Sequence, residues 1–418
     1  MRHLLLACAF VAAAVAGPAA RRQPPASLPA WSPGTLDIHH IATGRGNATF
    51  FVFPDGTTML VDAGAVVSAP PYADPRPDGS RTPGAWIADY VRQFHPSPAR
   101  PRLDYVVVTH FHPDHFGEVA PSNRTTADGL RLTGVTEVLD LLGARVVVDR
   151  AWPTYDYPSN LLGRDTAGAR VEPNAVANYK AYVERQAARG ALAVERVKVG
   201  SASQFAVAAD PRGPGVEVRP VVANGEVWTG RGEGTEQTFP PLASIPAEDY
   251  PDENMCSIGL RVRYGRFDYF TGGDLPGDPE GAPPWQGVEA KVGAVLGPTD
   301  VHQVNHHGSI DPATPGFLAA LRSRVLIVPA WAPTHPSPDV LKRLLNRRYY
   351  PDARSVFTLT LREPMTHAIG ARVGQLASSH GHVVVRVAPG GEAYSVFVLD
   401  DASAARPVTA AFGPYTAR

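Results

Sequence analysis

A chain of 418 residues is long enough for one large domain or two ordinary ones. Apolar residues make up 44% and charged residues 19%, a balance that buries a sizeable core and excludes an intrinsically disordered chain. The formal net charge of -1 excludes a global basic field for gripping a polyanion, and leaves only a local patch for nucleic acid.

The chain opens with Arg2 and His3, an unbroken apolar stretch over 4–16, and the small-x-small sequence Ala14-Val15-Ala16. A helix that crosses a bilayer needs roughly 20 apolar residues, so residues 1–16 read as a cleaved signal peptide rather than a stable membrane span. The expectation is an exported protein, periplasmic or secreted. Cleavage removes Cys8 and leaves Cys256 alone, so no internal disulfide is expected. Cys256 sits in a strand-like run and reads as an apolar filler. Residues 17–34, rich in Pro, Ala and Arg, read as a flexible lead-in.

From Thr35 the pattern changes. Alternating and β-branched runs predict strands over 36–41, 48–53 and 57–61, the last two joined by Pro54-Asp55-Gly56. His39 and His40 fall in the first of these, where alternation sends one to each face as core or surface residues. A helix is predicted over 84–94 and a buried strand over 104–109. Residues 121–250 read as an irregular insert, with a strand at 145–148, an amphipathic helix at 174–188 and a strand at 216–222 inside it. Trp152, Tyr155 and Tyr157 lie there and read as packing residues before cleft residues. Further strands are predicted at 257–264, 267–271, 301–304, 324–329, 355–359, 382–387 and 393–399. Helices are predicted at 288–295, 315–321 and 338–346. Strands and helices interleave without a fixed repeat or a clean linker, which favours one α/β domain with two sheets and outer helices over 35–400, then a C-terminal tail at 401–418.

The densest chemistry is Thr109-His110-Phe111-His112-Pro113-Asp114-His115. Three imidazoles and a carboxylate directly after a buried strand can be aimed into one cavity from a rigid support. Imidazole nitrogen and carboxylate oxygen suit zinc, manganese or iron(II). A histidine-rich surface turn is the bland alternative, and it does not account for the strand in front of it.

The run His-x-His-x-Asp-His after a strand resembles the signature of metallo-β-lactamase-fold hydrolases. Four later segments fit the same family in order. Asp62 in Leu60-Val61-Asp62-Ala63-Gly64 is similar to an Asp that braces the metal loop. Asp274 in Gly272-Gly273-Asp274 is similar to the carboxylate that bridges two metals. His306-His307-Gly308-Ser309 and Thr334-His335-Pro336 are similar to two late histidine motifs. With Gly44-Arg45-Gly46-Asn47, these segments look like the hydrolase domain of bacterial DNA-uptake (competence) proteins and like secreted phosphorylcholine esterases. That branch usually carries Asp where this chain has Asn47. The uptake proteins' membrane channel has no counterpart here, so a free-standing exported relative is expected.

The resemblance implies an αββα sandwich holding two divalent metal ions, zinc first and manganese second. It places His110 and His112 on metal one, Asp114, His115 and one of His306 and His307 on metal two, and Asp274 between them. His306 is the first choice of the pair because it lies nearer the strand end. No histidine occurs between His115 and His302, so water, Asn254 or substrate completes metal one. A water bridging two cations is acidified towards hydroxide near neutral pH. Asp114 would orient it or take its proton. His335, with the unligated histidine of the pair, would bind a phosphoryl oxygen or protonate the leaving group. The implied activity is phosphodiester hydrolysis on a small molecule or a polymer, nucleic acid included, with no protein partner indicated. A lactonase or β-lactamase is the alternative enzyme, and a non-catalytic binding protein of the same fold is the alternative class.

Overall fold

The computed structural model describes residues 21–68, 74–163, 173–208, 213–278 and 281–418; the signal sequence expected over 1–16 lies outside them. Strands β1 (Arg21–Arg22), β2 (Leu36–His40), β3 (Thr49–Val52) and β4 (Thr58–Val61) come first, then helix α1 (Pro83–Phe94) and strand β5 (Leu103–Val107). Helices α2 (Pro113–Phe116) and α3 (Gly134–Leu142) lead to β6 (Ala144–Asp149), α4 (Pro173–Ala188) and β7 (Ala193–Arg196). Next come β8 (Val216–Ala223), β9 (Glu226–Trp228), β10 (Thr235–Gln237), β11 (Gly259–Tyr264) and β12 (Phe267–Thr271). An alternating stretch follows: α5 (Val288–Leu296), β13 (Val301–Gln303), α6 (Pro315–Leu321), β14 (Val325–Val328), α7 (Pro338–Leu345) and β15 (Ser355–Thr358). The chain closes with α8 (Glu363–Ile369), β16 (His382–Val387), β17 (Ala393–Leu399) and β18 (Val408–Thr416).

The strands form two sheets. One has the order β1-β18-β17-β16-β2-β3-β4-β5-β6-β7 and the other β10-β9-β8-β11-β12-β13-β14-β15. Their inner faces share an apolar layer built from Phe51, Met59, Val61 and Val107 on one side and Leu260, Tyr269, Val301 and Ile327 on the other. The outer face of the first sheet carries Phe50, Leu60, Val106 and Val147 against Ile87 and Val91 of α1, Val135 and Val138 of α3 and Tyr179 of α4. The outer face of the second sheet is covered by α5 and α6 through Val292 and Phe317, and by α7 through Val340, Leu341 and Leu344. This is an αββα sandwich, the arrangement that the sequence resemblance implies. Period-two alternation is what makes it possible, since each strand sends one side chain to a helix and the next to the opposing sheet. The neighbours His39 and His40 show the rule: one faces Tyr90 of α1 and the other Tyr269 of the second sheet, each 3.1 Å from the tyrosine hydroxyl.

Two stretches are more ordered than the sequence reading expects. The flexible lead-in is tied down from Arg21 onward, because β1 pairs antiparallel with β18 and Leu28 is buried in the outer core of the first sheet. The C-terminal tail is a strand: β18 lies between β1 and β17 and buries Ala410, Phe412 and Tyr415 between the sheets. The insert also supplies regular structure to both sheets through β6 and β8, and it holds the unanticipated helix α3. That helix starts at a Thr133–Thr136 capping box and buries Val135, Val138 and Leu139.

Within each sheet one set of neighbouring strands is parallel, β4 to β7 in the first and β12 to β15 in the second. The loops leaving the carboxyl ends of these strands carry every candidate His and Asp ligand, as open α/β sheets generally arrange their ligands, while Asn254 lies on the loop before β11. If β18 is part of this core, Phe412→Ala should cost about 3–5 kcal/mol in urea denaturation. A cost below about 1 kcal/mol would show the terminal segment to be dispensable.

Candidate metal centre

The centre is built outward from Asp62, which follows β4 and is fully buried with a left-handed backbone, φ 62. Its Oδ1 accepts from the Thr109 amide at 2.8 Å. Its Oδ2 accepts from Thr109 Oγ1 at 2.8 Å, His115 Nδ1 at 2.7 Å and Asn47 Nδ2 at 3.1 Å. The loop after β5 is thereby fastened at both ends. It is also clamped from below, since the Asn47 amide donates to the Asp114 carbonyl at 2.7 Å. A Cβ on Gly64 would lie 1.9 Å from that same carbonyl oxygen, so only glycine permits the approach. Asn47 is buried and uses its amide hydrogens on Asp62, which a carboxylate at that position could not do.

Two groups of side chains have ligand atoms within 4.8 Å of one another: Asp114, His115, Asp274 and His307, and His110, His112 and Asp274. Asp274 belongs to both. The tautomers follow from the outer partners. His115 Nδ1 donates to Asp62, and His307 Nδ1 donates to the Pro329 carbonyl at 3.0 Å. In the neutral rings both Nε2 atoms are then acceptors, yet they face each other 3.0 Å apart. Thr109 Oγ1 spends its proton on Asp62 and accepts from His110 Nδ1 at 3.1 Å, so His110 Nε2 also presents a lone pair, 3.2 Å from His112 Nδ1. Asp274 Oδ1 is buried 3.0 Å from His115 Nε2 with no donor aligned on it. Lone pairs converging in this way repel unless a positive centre lies among them. The donor set therefore fits divalent cations.

The charges express the same demand. Burial opposes protonation of His307, but Asp274 and Asp114 beside it push it up to about 10. His115 is likewise raised, against burial, by Asp274, Asp62 and Asp114. Burial pushes the Asp274 carboxyl upward, and His115 and His307 more than reverse this. Asp114 Oδ2 accepts from Trp331 Nε1 at 3.0 Å and lies 3.0 Å from His307 Nε2.

Of the histidine pair, His307 joins the group and His306 does not. Both residues have left-handed backbone, φ 47 and φ 52, so the strand's alternation stops at Val304. The His307 ring turns inward. His306, the sequence-based first choice, points its Nδ1 at Asp311 Oδ1, 3.0 Å away, and holds its Nε2 4.0 Å from Asp274 Oδ2. His335 stacks on His307 with ring centroids 5.1 Å apart, its Nδ1 buried without a partner. Burial, followed by the neighbouring His307 charge, drives it down to about 3. Cys256 is buried and its thiol is pushed up to about 12 by burial, as a packing residue rather than a nucleophile.

Sequence reasoning missed four supporting residues. Arg150 and Glu253 form a fully buried ion pair directly beneath the metal loop, where Glu253 Oε1 also accepts from the Phe111 amide at 2.7 Å. Their separation of 103 residues leaves no local trace. Glu289 is buried and accepts from Asn305 Nδ2 at 2.9 Å and from the amides of Ala313 and Thr314, holding the histidine turn against the loop that carries Asp311. Trp331, at the end of β14, was adjacent to the His-Pro motif but had no pattern of its own. Tyr155, singled out earlier, is a packing residue bound to Asp149 at 2.6 Å.

Residues 42–128 match the model of the metallo-beta-lactamase superfamily. The matched segment includes Asn47, Asp62 and the whole loop His110 to His115, while Asp274, His307 and His335 reach the centre through the fold. No curated protein matches the chain. The domain match, the sandwich and the two ligand groups together support a metal-dependent hydrolase in general terms.

Removing one partner of the buried ion pair should be costly: Arg150→Met leaves the Glu253 carboxylate alone and should lose about 3–5 kcal/mol in urea denaturation. The double variant Arg150→Met/Glu253→Gln should recover most of that loss. Burial raises Glu289 from 4.5 to about 7. A carboxyl raised on folding favours the fold below its unfolded value and loses that contribution as pH climbs through the folded one. Wild-type stability should therefore fall relative to Glu289→Gln between pH 4.5 and about 7, by about 3 kcal/mol in all. A pH-independent difference between the two proteins would refute this.

Proposed function

We propose that this protein is an exported hydrolase using two divalent cations, zinc first, to cleave a phosphodiester. The observation that carries the reading is one carboxylate, Asp274, shared between the group Asp114, His115 and His307 and the group His110 and His112. Two cations held in this way would supply an acidified water as nucleophile and offset negative charge developing on the substrate.

The chain's own residues supply position and proton control. Asp114 is oriented by the Trp331 indole, which donates to its Oδ2 at 3.0 Å, and would orient the nucleophilic water or take its proton. His335, neutral near neutral pH because burial and His307 drive it down to about 3, is the group available to donate a ring N–H to a phosphoryl oxygen. An anionic substrate is favoured over a lactone or β-lactam by the rim of the centre. Arg362 donates to the Trp331 carbonyl at 3.4 Å, and Arg45 directly precedes the Gly46 that rests on Asp114. Arg76 joins them around Asp74, at 2.9 Å from it, with Arg362 at 3.4 Å. Among the described residues, the three guanidinium groups of Arg45, Arg76 and Arg362 face the two carboxylates Asp74 and Asp401, a local excess of positive charge on a chain with little net charge. This local field fits a phosphodiester, small or polymeric, as found in the substrates of DNA-uptake hydrolases and phosphorylcholine esterases that the motifs resemble.

The test is hydrolysis of bis(p-nitrophenyl) phosphate by the protein stripped of metal and then reloaded with zinc or manganese. Turnover should appear only on reloading, and His112→Ala should lower it by at least about 100-fold. Two bound metals without turnover would redirect the reading to lactone and β-lactam substrates. Two bound metals with no turnover on any of these would leave a binding protein.

A further inference from the structure

The two ligand groups are unequal. Four side chains converge on the second position and three on the first, and among the described residues no further His, Cys, Asp or Glu joins His110, His112 and Asp274. The neighbouring turn supplies a different kind of donor. Glu253 binds the Phe111 amide, and the amide of Ser257 donates to the Asn254 carbonyl at 3.1 Å, so the backbone of Asn254 is fixed against the loop that carries His110 and His112.

The side chain of Asn254 is oriented as well. Its Nδ2 lies 3.3 Å from His306 Nε2. His306 Nδ1 faces the Asp311 carboxylate, an acceptor, so Nδ1 carries the proton and Nε2 has a lone pair to offer. The amide must then present its NH2 to His306 and turn Oδ1 away from it. That oxygen is buried and has no hydrogen-bond partner. The arrangement stands beside the shared carboxylate, whose Oδ2 is 3.4 Å from His307 Nε2, 3.7 Å from His110 Nε2 and 4.0 Å from His306 Nε2, and the Glu253 contact to the Phe111 amide, between His110 and His112, sets the turn against the first position.

We propose that Asn254 Oδ1 is the fourth protein ligand of the first cation, and that Asp311 and His306 act as a positioning relay that aims it. The inference rests on the two-cation reading above. It also explains why His306 is not itself a ligand. An amide oxygen is a neutral, harder donor than a third imidazole, so the first cation is held more weakly than the second and accepts manganese more readily than an all-nitrogen site would.

The experiment is cobalt(II) titration of the metal-stripped full chain, read by visible absorption and by elemental analysis after dialysis against a competing chelator. Wild type should show a tight and a weaker event. Asn254→Ala should keep the tight event and weaken the other by about 10–100-fold, with a changed absorption band, while Asn254→Asp should restore or tighten it. Asp311→Ala, which leaves the ligand in place but removes the acceptor that sets its orientation, should weaken the same event less. Thermal unfolding of each metal-stripped variant separates a ligand effect from a folding defect, and a misfolded Asn254→Ala variant leaves the Asp and Asp311 variants to decide. Unchanged affinities in Asn254→Ala, or equal loss of both events in a folded variant, overturn the inference alone. A wild-type chain that takes up no cobalt overturns the two-cation reading itself.

Discussion

The centre depends on one buried carboxylate that touches no substrate. Asp62 accepts four hydrogen bonds, two from Thr109, one from His115 and one from Asn47, and so ties together the ends of β4 and β5 and the loop before β3. A buried carboxylate must be satisfied in this way. Once it is, the His115 tautomer is determined, the Thr109 hydroxyl is committed, and through that hydroxyl the His110 tautomer is determined too. The lone pairs on two Nε2 atoms thus follow from the satisfaction of two oxygens one step removed.

The second sheet meets this loop under comparable constraints. Asp62, His306 and His307 all occupy left-handed backbone without being glycine, a conformation that costs on the order of 1 kcal/mol or more each. The cost is offset by over-determination. The His306 amide donates to the Gly273 carbonyl at 3.0 Å, the Ser309 amide to the His306 carbonyl at 2.7 Å, and Glu289 secures Asn305 just ahead. Beneath the loop the Arg150–Glu253 pair gives Phe111 a fixed amide partner between the two histidines of the first position. Strain at the donors and buried charge around them belong to one design, in which ligands that repel one another are held close enough to share a cation.

Function then lies in how two sheets present loops to each other. The parallel strands β4 and β5 deliver Asp62 and the first ligand loop; β12, β13 and β14 deliver Asp274, His307, and Trp331 with His335. The candidate centre lies where the carboxyl ends of both parallel sets open at one edge of the sandwich.

Much of this was legible in the chain itself. Alternation marks β2 to β5 and β16 to β17 because each face of a strand meets a different layer, and the dense run from His110 to His115 is local, so its ligand character shows without a fold. Asp274 was readable as a turn carboxylate after a strand with a family likeness behind it. The N-terminal lead-in and the final strand were not readable, because β1 and β18 stabilise each other across almost the full length of the chain and have little pattern alone. The choice between His306 and His307 belonged to tertiary structure for a sharper reason: two successive left-handed residues break the alternation from which direction is inferred. Arg150 with Glu253, Glu289 with the loop before α6, and Asn254 with His306 were likewise decided only by folding. Residue types and local spacing determine which groups can bind a cation; which lone pairs face one another, and which buried charges pair, depends on tertiary contacts, 52 positions apart for Asn254 and His306 and 192 for His115 and His307, and those exist only once the sandwich has closed.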